Sequence, residues 1–137
     1  MKALQDHTVA ELMQRGVQTV KETASLAEAI RLMGEKKLSS LIVEKEHEHD
    51  AYGILTRKDI ITELSENWDG MASLNVADLA TKPVITIQAN TGVKHAVRLM
   101  RVAGVRRLAV LEGNELAGII SNSDVFRFII EWESVKK

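Results

Sequence analysis

Several features that would assign this chain to a common protein class are missing from it. It has no cysteine, which excludes disulfides and thiolate metal sites. No apolar run approaches the roughly 18 residues of a membrane-spanning helix, and the N-terminal residues lack the apolar core of a signal peptide. A soluble, cytoplasmic protein is therefore expected.

The chain also lacks a charge excess of either sign and is poor in proline and aromatic residues. Its net charge is −1, and its 137 residues include one Pro, two Trp, two Phe and one Tyr. Nucleic-acid binding generally needs a basic excess or a basic face, so neither nucleic acid nor a membrane is an expected partner. The 45% apolar content argues against disorder and predicts a core of aliphatic residues.

The chain does contain an internal repeat. The segment VAEL at 9–12 recurs as VADL at 76–79, and the same shift of 67 positions aligns RLM at 31–33 with RLM at 98–100. After Val43 the first copy carries two extra residues, so the shift becomes 65. The constant register predicts two structurally equivalent halves.

The pattern within each half predicts the same order of elements. After a short helical lead-in come a strand, a helix, two strands and a second helix, or β-α-β-β-α. In the first half Leu26, Ala29, Ile30 and Met33 form one apolar stripe of an amphipathic helix. The predicted fold class is α/β (α+β), with a first repeat at 1–68, a linker at 69–75 and a second repeat at 76–137.

One seven-residue turn occurs in both halves, as GILTRKD at 53–59 and GIISNSD at 118–124. Each copy ends an apolar run and begins a helical one. The hydroxyl residue and the aspartate three positions later can form a helix cap. The same carboxylate can instead accept both hydroxyls of a ribose, while helix-start N–H groups bind a phosphate. Both interpretations stay open on these residues alone.

The duplicated unit and its turn resemble the CBS domain family, named after cystathionine β-synthase. The segments PVITI at 83–87 and GVRRL at 104–108 are also similar to that family, and the resemblance covers about 9–130. It implies a tandem pair, or Bateman module, whose two repeats pack about a pseudo-twofold axis. Such modules bind AMP, ADP, ATP, S-adenosylmethionine or NAD in clefts between the repeats.

The resemblance also implies roles for particular residues. The two aspartates would hold ribose hydroxyls, and the hydroxyl residues of the turns would contact ribose or phosphate. Threonines on each first strand would line the adenine end, and basic side chains would neutralise phosphates. We expect the better phosphate site to be the one reached by Arg106 and Arg107, because Ser39 and Ser40 occupy the equivalent positions. The implied ligand-binding residues are Thr19, Thr56, Lys58, Asp59, Thr86, Arg106, Arg107, Ser121 and Asp124.

These observations favour a stand-alone, non-catalytic regulatory and energy-sensing module that binds an adenine nucleotide. No nucleophile with its acid and base can be assembled from the sequence, and His47 to Asp50 are interpreted as a solvated loop, with no metal expected. No obligatory cofactor is expected. The expected partners are the nucleotide, a second copy in a homodimer and an unidentified effector protein. The alternative is a dimerisation or protein-interaction module whose clefts are vestigial.

Overall fold

The computed structural model describes residues 2–136 and has a mixed α/β architecture, as predicted. Two three-stranded sheets each carry helices. Within 2–136, no helix is long and apolar enough to cross a membrane. In chain order the elements are α1 (Val9–Leu12), β1 (Thr19–Val20), α2 (Leu26–Lys36), β2 (Ser40–Val43), β3 (Gly53–Thr56), α3 (Arg57–Glu66), α4 (Val76–Leu79), β4 (Thr86–Gln88), α5 (Val93–Ala103), β5 (Arg107–Glu112), β6 (Glu115–Ser121) and α6 (Asn122–Lys136), with 3₁₀ turns at Leu4–Asp6 and Met71–Ser73.

The chain divides into two compact units that differ from the two sequence repeats. One, here called the β1–β3 unit, is Gln18–Val84. The other, the β4–β6 unit, combines the residues up to Val17 with those from Ile85 onward. The short helix α1 therefore belongs to the unit of the second repeat, and α4 belongs to the unit of the first. The order β-α-β-β-α within each repeat agrees with the prediction.

The β1–β3 unit is built on a sheet of order β1-β2-β3. Strand β1 runs parallel to β2, and β2 runs antiparallel to β3. Helix α2 is the crossover that a parallel pair requires, and it begins at Ser25, whose hydroxyl accepts the Glu28 N–H at 3.1 Å. Leu26, Ala29 and Met33 of the predicted α2 stripe pack with the strands and α4, whereas Ile30 is 42% exposed. The buried residues of this unit are Val20, Leu26, Ala29, Met33, Leu41, Val43, Leu55 and Val76.

The β4–β6 unit repeats this topology in the order β4-β5-β6. Helix α5 begins after Gly92, which offers no side-chain cap. The His95 N–H donates to the Gly92 carbonyl at 3.0 Å, and the Val93 N–H donates to the carbonyl of His7 at 2.9 Å. The buried core is Val9, Met13, Ala89, Ala96, Met100, Leu108, Val110, Ile120 and Val125.

The third strand of each unit is covered along its outer edge by the segment that follows the short helix. In the β4–β6 unit, the backbones of Gln14 and Ile119 exchange two hydrogen bonds of 2.8 and 3.0 Å. A Cβ placed on the neighbouring Gly118 would lie 2.5 Å from the Gln14 carbonyl oxygen. The glycine that opens the repeated turn is therefore required by a close backbone contact.

The same contact occurs in the β1–β3 unit. Thr81 and Ile54 exchange two backbone hydrogen bonds of 2.9 Å. A Cβ on Gly53 would lie 2.9 Å from the Thr81 carbonyl oxygen. Gln14 and Thr81 are 67 positions apart, so they are equivalent positions of the two repeats. Each one covers the third strand of the other repeat.

Candidate functional site

Thr56, Lys58 and Asp59 lie together at one end of the sheet of the β1–β3 unit, whereas Thr19 pairs with Ile42, the third residue of β2. Thr19 begins β1, and Thr56 ends β3. Thr56 pairs with Ser40, the first residue of β2, so the end of β3 lies beside the beginning of β2. Lys58 and Asp59 follow in the first turn of α3. The unit thus brings a hydroxyl, a carboxylate and an ammonium group to a single helix start.

The equivalent end of the β4–β6 unit gathers Arg106, Arg107, Ser121 and Asp124, whereas Thr86 pairs with Ala109, the third residue of β5. Thr86 begins β4, and Arg107 pairs across the sheet with Ser121 at the end of β6. The Arg106 carbonyl accepts the first N–H of α6 at 2.9 Å. Asp124 lies in the first turn of that helix. The repeated turn therefore has the same backbone setting in both units.

The Asp59 turn is a helix cap with an open carboxylate. The Thr56 N–H donates to Asp59 Oδ2 at 2.8 Å, and the Asp59 N–H donates to Thr56 Oγ1 at 3.2 Å. Asp59 is half-buried. No donor among residues 2–136 contacts its Oδ1, so one carboxylate oxygen and part of the other remain available as acceptors.

The Asp124 turn has the same cap but a fully occupied carboxylate. Asp124 Oδ2 accepts the Ser121 N–H at 2.8 Å and the Ser121 hydroxyl at 2.9 Å. Asp124 Oδ1 accepts Gln14 Nε2 at 2.8 Å and Arg127 Nη1 at 3.2 Å. The side chain of Asp124 is 2% exposed. A carboxylate offers about four lone-pair positions, and four donors occupy those of Asp124.

Most of the amide N–H groups at the two helix starts are already paired. The Arg57 N–H donates to the Ser39 carbonyl at 2.9 Å, as the Asn122 N–H does to Arg106. Among the first three helical residues of α3 and α6, only the N–H groups of Lys58 and Ser123 have no partner within the described chain. The expected row of phosphate-binding N–H groups is therefore reduced to one N–H at each turn.

The two turns also differ in nearby charge. Arg57 and Lys58 at the Asp59 turn are both exposed, whereas exposed Asn122 and Ser123 occupy the equivalent positions of the Asp124 turn. The Asp59 turn therefore carries two cations within the first turn of its own helix. Such cations attract the phosphate of an anionic ligand.

The first-strand threonines differ in the opposite sense to the aspartates, because the occupied one lies in the β1–β3 unit. The Thr19 hydroxyl donates to Glu44 Oε2 at 3.0 Å. Both residues line a cavity of about 470 Å³, and Lys21 and Arg31 line it as well. Thr86 is exposed, and its hydroxyl has no partner among residues 2–136. Leu111 stands where the first repeat has Glu44.

Sequence reasoning missed the residues that occupy these groups: Gln14, Arg127 and Glu44. None belongs to the repeated motif. Gln14 lies 110 residues from Asp124, and its contact depends on the exchange of the short helices between repeats. The sequence feature that could have indicated the difference between the two carboxylates is that Gln14 and Arg127 correspond to Thr81 and Thr62 in the other repeat.

The acidic loop between β2 and β3 contains His47 and His49. Within residues 2–136, no group of three or more His, Cys, Asp or Glu side chains is placed to hold a metal ion. Asp50 in this loop is instead bound to Lys82 at 2.6 Å. The hydrogen bond from Lys82 holds the pKa of the Asp50 carboxyl well below its usual range.

Comparison with known proteins identifies the family. The CBS domain model matches residues 9–66 and 76–131, which together are most of the chain. The protein belongs to the CBS domain family and carries two copies of the domain. An uncharacterized protein of Methanopyrus kandleri, MK0525, is 28% identical over 88% of this chain and 61% of its own length. The chain spans 34% to 61% of the length of three curated relatives that it matches.

Solved structures of tandem CBS proteins share the fold. A hexameric CBS-CP12 protein from bloom-forming cyanobacteria is 37% identical, with a TM-score of 0.83 over 88% of this chain and 69% of that chain. CBSX2, solved in complex with AMP, is 25% identical, with a TM-score of 0.74 over 93% of this chain and 98% of that chain. The chain is thus similar to one protein that forms a hexamer and to one that binds AMP.

Proposed function

We propose that this chain is a non-catalytic regulatory module that binds an adenine nucleotide, with AMP, ADP or ATP as its ligand. The observation that carries the proposal is the open carboxylate of Asp59 at the start of α3. Its Oδ1 has no donor among residues 2–136, although Thr56 already donates to its Oδ2. A ribose presents two adjacent O–H donors, which such a carboxylate can accept.

The surroundings of Asp59 fit the remaining parts of a nucleotide. Arg57 and Lys58 are exposed on the same helical turn, and the Lys58 N–H is unpaired within the described chain. An ammonium, a guanidinium and a helix N-terminus all favour a phosphate group. CBSX2, which is 25% identical to this chain, was solved in complex with AMP, and this supports an adenine nucleotide as the ligand.

Regulation follows if ligand binding shifts the module between two conformations. A ligand does so only by its differential affinity for them. The effector is a protein still to be identified. A cytoplasmic location is part of the proposal, since the nucleotide pool to be sensed is there. S-adenosylmethionine and NAD carry the same adenosine group and belong in the test.

The test is a thermal-unfolding panel with AMP, ADP, ATP, S-adenosylmethionine and NAD at neutral pH. A ligand present at about 100 times its dissociation constant adds about 2.7 kcal/mol of stability. We expect one adenine nucleotide to raise the melting temperature, and Asp59→Asn to remove that increase. The asparagine oxygen can still accept the Thr56 N–H, so this variant keeps the cap while losing charge and one acceptor.

The matched control is Asp78→Asn. The Asn75 N–H donates to Asp78 Oδ2 at 2.8 Å, so Asp78 has the same capping contact but lies outside the repeated turn. We expect this variant to retain the nucleotide response. A flat panel at millimolar concentrations of every ligand would contradict the proposal.

The second candidate function is self-association without a ligand. An apolar groove of about 420 Å³ on the β4–β6 unit favours it, since Val97 and Ile129 in its walls are 44% and 37% exposed. Phe126 and Ile130 on α6 are 64% and 55% exposed. Sedimentation of Val97→Glu tests this candidate: we expect the variant to be monomeric where the wild type is a homodimer. A homodimer is also compatible with nucleotide binding.

A further inference from the structure

The two repeated turns are not equivalent as ligand sites. We propose, as an extension of the nucleotide binding proposed above, that Gln14 and Arg127 hold the Asp124 turn closed, so that the chain binds one nucleotide, at Asp59. Gln14 and Arg127 act here as positioning residues. Each donates to Asp124 Oδ1, at 2.8 and 3.2 Å.

The argument begins with the number of acceptor positions. A ribose diol needs two lone-pair positions on a carboxylate. At Asp124, Ser121 and the two positioning residues supply four donors. A nucleotide could bind there only by displacing the Gln14 amide and the Arg127 guanidinium. At Asp59 the Thr56 N–H is the one donor found in the described chain, so a diol needs no displacement.

Gln14 is the more firmly held of the two donors. Its backbone N–H and carbonyl are both bonded to Ile119, which fixes its Cα beside the end of β6. Arg127 is 63% exposed, and an exposed ion pair is weak. Gln14 is therefore the main obstacle to the binding of a ribose at Asp124, and Arg127 is a weaker one.

The β1–β3 unit shows which residues replace these two donors at an open turn. Thr81 occupies the position of Gln14, with the same two backbone bonds, here to Ile54. Its side chain is shorter by an amide group and donates nothing to Asp59. Thr62 occupies the position of Arg127. These two substitutions thus account for two of the three donors that Asp124 has and Asp59 lacks, and the third is the Ser121 hydroxyl. The site inferred to bind the nucleotide is therefore the one at Asp59, whereas Arg106 and Arg107 favoured the other.

The test measures the number of nucleotides bound per chain by isothermal titration calorimetry with AMP and with ATP. We expect one equivalent for the wild type, lost in Asp59→Asn. The double variant Gln14→Thr with Arg127→Thr should bind a second equivalent. Arg15→Thr is the matched control, because Arg15 is bonded to Glu112 at 3.1 Å on the exposed surface and does not contact Asp124. It should still bind one equivalent.

The reciprocal exchange tests the same inference if the first double variant does not fold. Thr81→Gln with Thr62→Arg would place an amide and a guanidinium near Asp59. We expect affinity for the nucleotide to fall about tenfold or more, which corresponds to about 1.4 kcal/mol. Unchanged affinity in this variant, with native circular dichroism, would overturn the inference.

The outcomes separate this inference from the proposed function. Two equal sites in the wild type, or a single site that survives Asp59→Asn, would overturn the inference and leave nucleotide binding established. A folded Gln14→Thr and Arg127→Thr variant that still binds one equivalent would do the same. Absence of binding to both the wild type and the double variant would overturn the proposed function, and the inference with it.

Discussion

Replacing Asp124 with alanine should destabilise the protein much more than the same change at Asp59. Asp124 is almost fully buried and accepts the Ser121 N–H and hydroxyl at 2.8 and 2.9 Å. A hydrogen bond to a charged group contributes about 1.5–3 kcal/mol, and an unsatisfied buried donor costs about 1–3 kcal/mol. Gln14 and Arg127 can turn to solvent, so the Ser121 contacts dominate. We expect a loss of about 3–4 kcal/mol for Asp124→Ala.

Asp59→Ala should reduce the free energy of unfolding by a smaller amount. It leaves one half-buried N–H, that of Thr56, without its acceptor. The loss of such a helix cap costs about 0.5–2 kcal/mol. Asp78→Ala, which removes an equivalent capping contact to Asn75, should cost a similar amount. The two repeated aspartates should therefore differ by roughly 1–3 kcal/mol, although they occupy the same position of the same motif.

The assay is urea unfolding at neutral pH without ligand, followed by circular dichroism for the wild type and all three variants. A loss at Asp59 equal to or larger than that at Asp124 would refute the reasoning. A double-mutant cycle with Gln14→Thr adds a sharper check. Residues in direct contact couple by about 0.5–3 kcal/mol, so Gln14 should couple to Asp124 and show no coupling to Asp59.

Two further predictions concern the strand edges and the acid response. Gly118→Ala should destabilise the protein by about 1–3 kcal/mol, because its Cβ would lie 2.5 Å from the Gln14 carbonyl oxygen. Gly53→Ala should destabilise it less, since its Cβ would lie 2.9 Å from the Thr81 carbonyl oxygen. Equal melting temperatures of the two variants would contradict this order. The pKa of Asp50 is lowered by its hydrogen bond to Lys82, so its stabilising contribution is complete above the unfolded pKa of about 4 and is lost as the pH falls further. Asp50→Asn should lower the melting temperature at pH 7. Below about pH 4 the melting temperature of this variant should fall less steeply with pH than that of the wild type. An equally steep fall would show that other carboxylates cause it.

The helices and strands could be predicted because they depend on local periodicity. The apolar stripe of α2 and the repeat register predicted every element of the β-α-β-β-α order. The strand beginnings were predicted less well. The residues with a strand preference begin at Val17, whereas β1 begins at Thr19. Residue type indicates a tendency to be extended, but a strand begins where a neighbouring strand offers partners.

Helix caps show where local reasoning stops. Ser25 caps α2 through local contacts, because its hydroxyl accepts the Glu28 N–H. At the equivalent position of the second repeat the residue is Gly92. The N–H equivalent to that of Glu28 is that of His95, which donates to the Gly92 carbonyl at 3.0 Å. Both helices also donate their first N–H to a distant carbonyl, Leu26 to Leu74 and Val93 to His7. Such distant contacts leave no trace in the residues around the helix start.

The exchange of the short helices connects the glycines, the compact units and the asymmetry of the two turns. Each repeat supplies the segment that covers the third strand of the other, and the glycine of the turn admits that backbone. The covering residue then decides the state of the aspartate: Gln14 reaches Asp124, whereas Thr81 is too short to reach Asp59. If the turns bind nucleotides as proposed, the capacity of each turn to accept a ligand depends on a residue of the other repeat. A motif search within a single repeat would treat the two turns as equal.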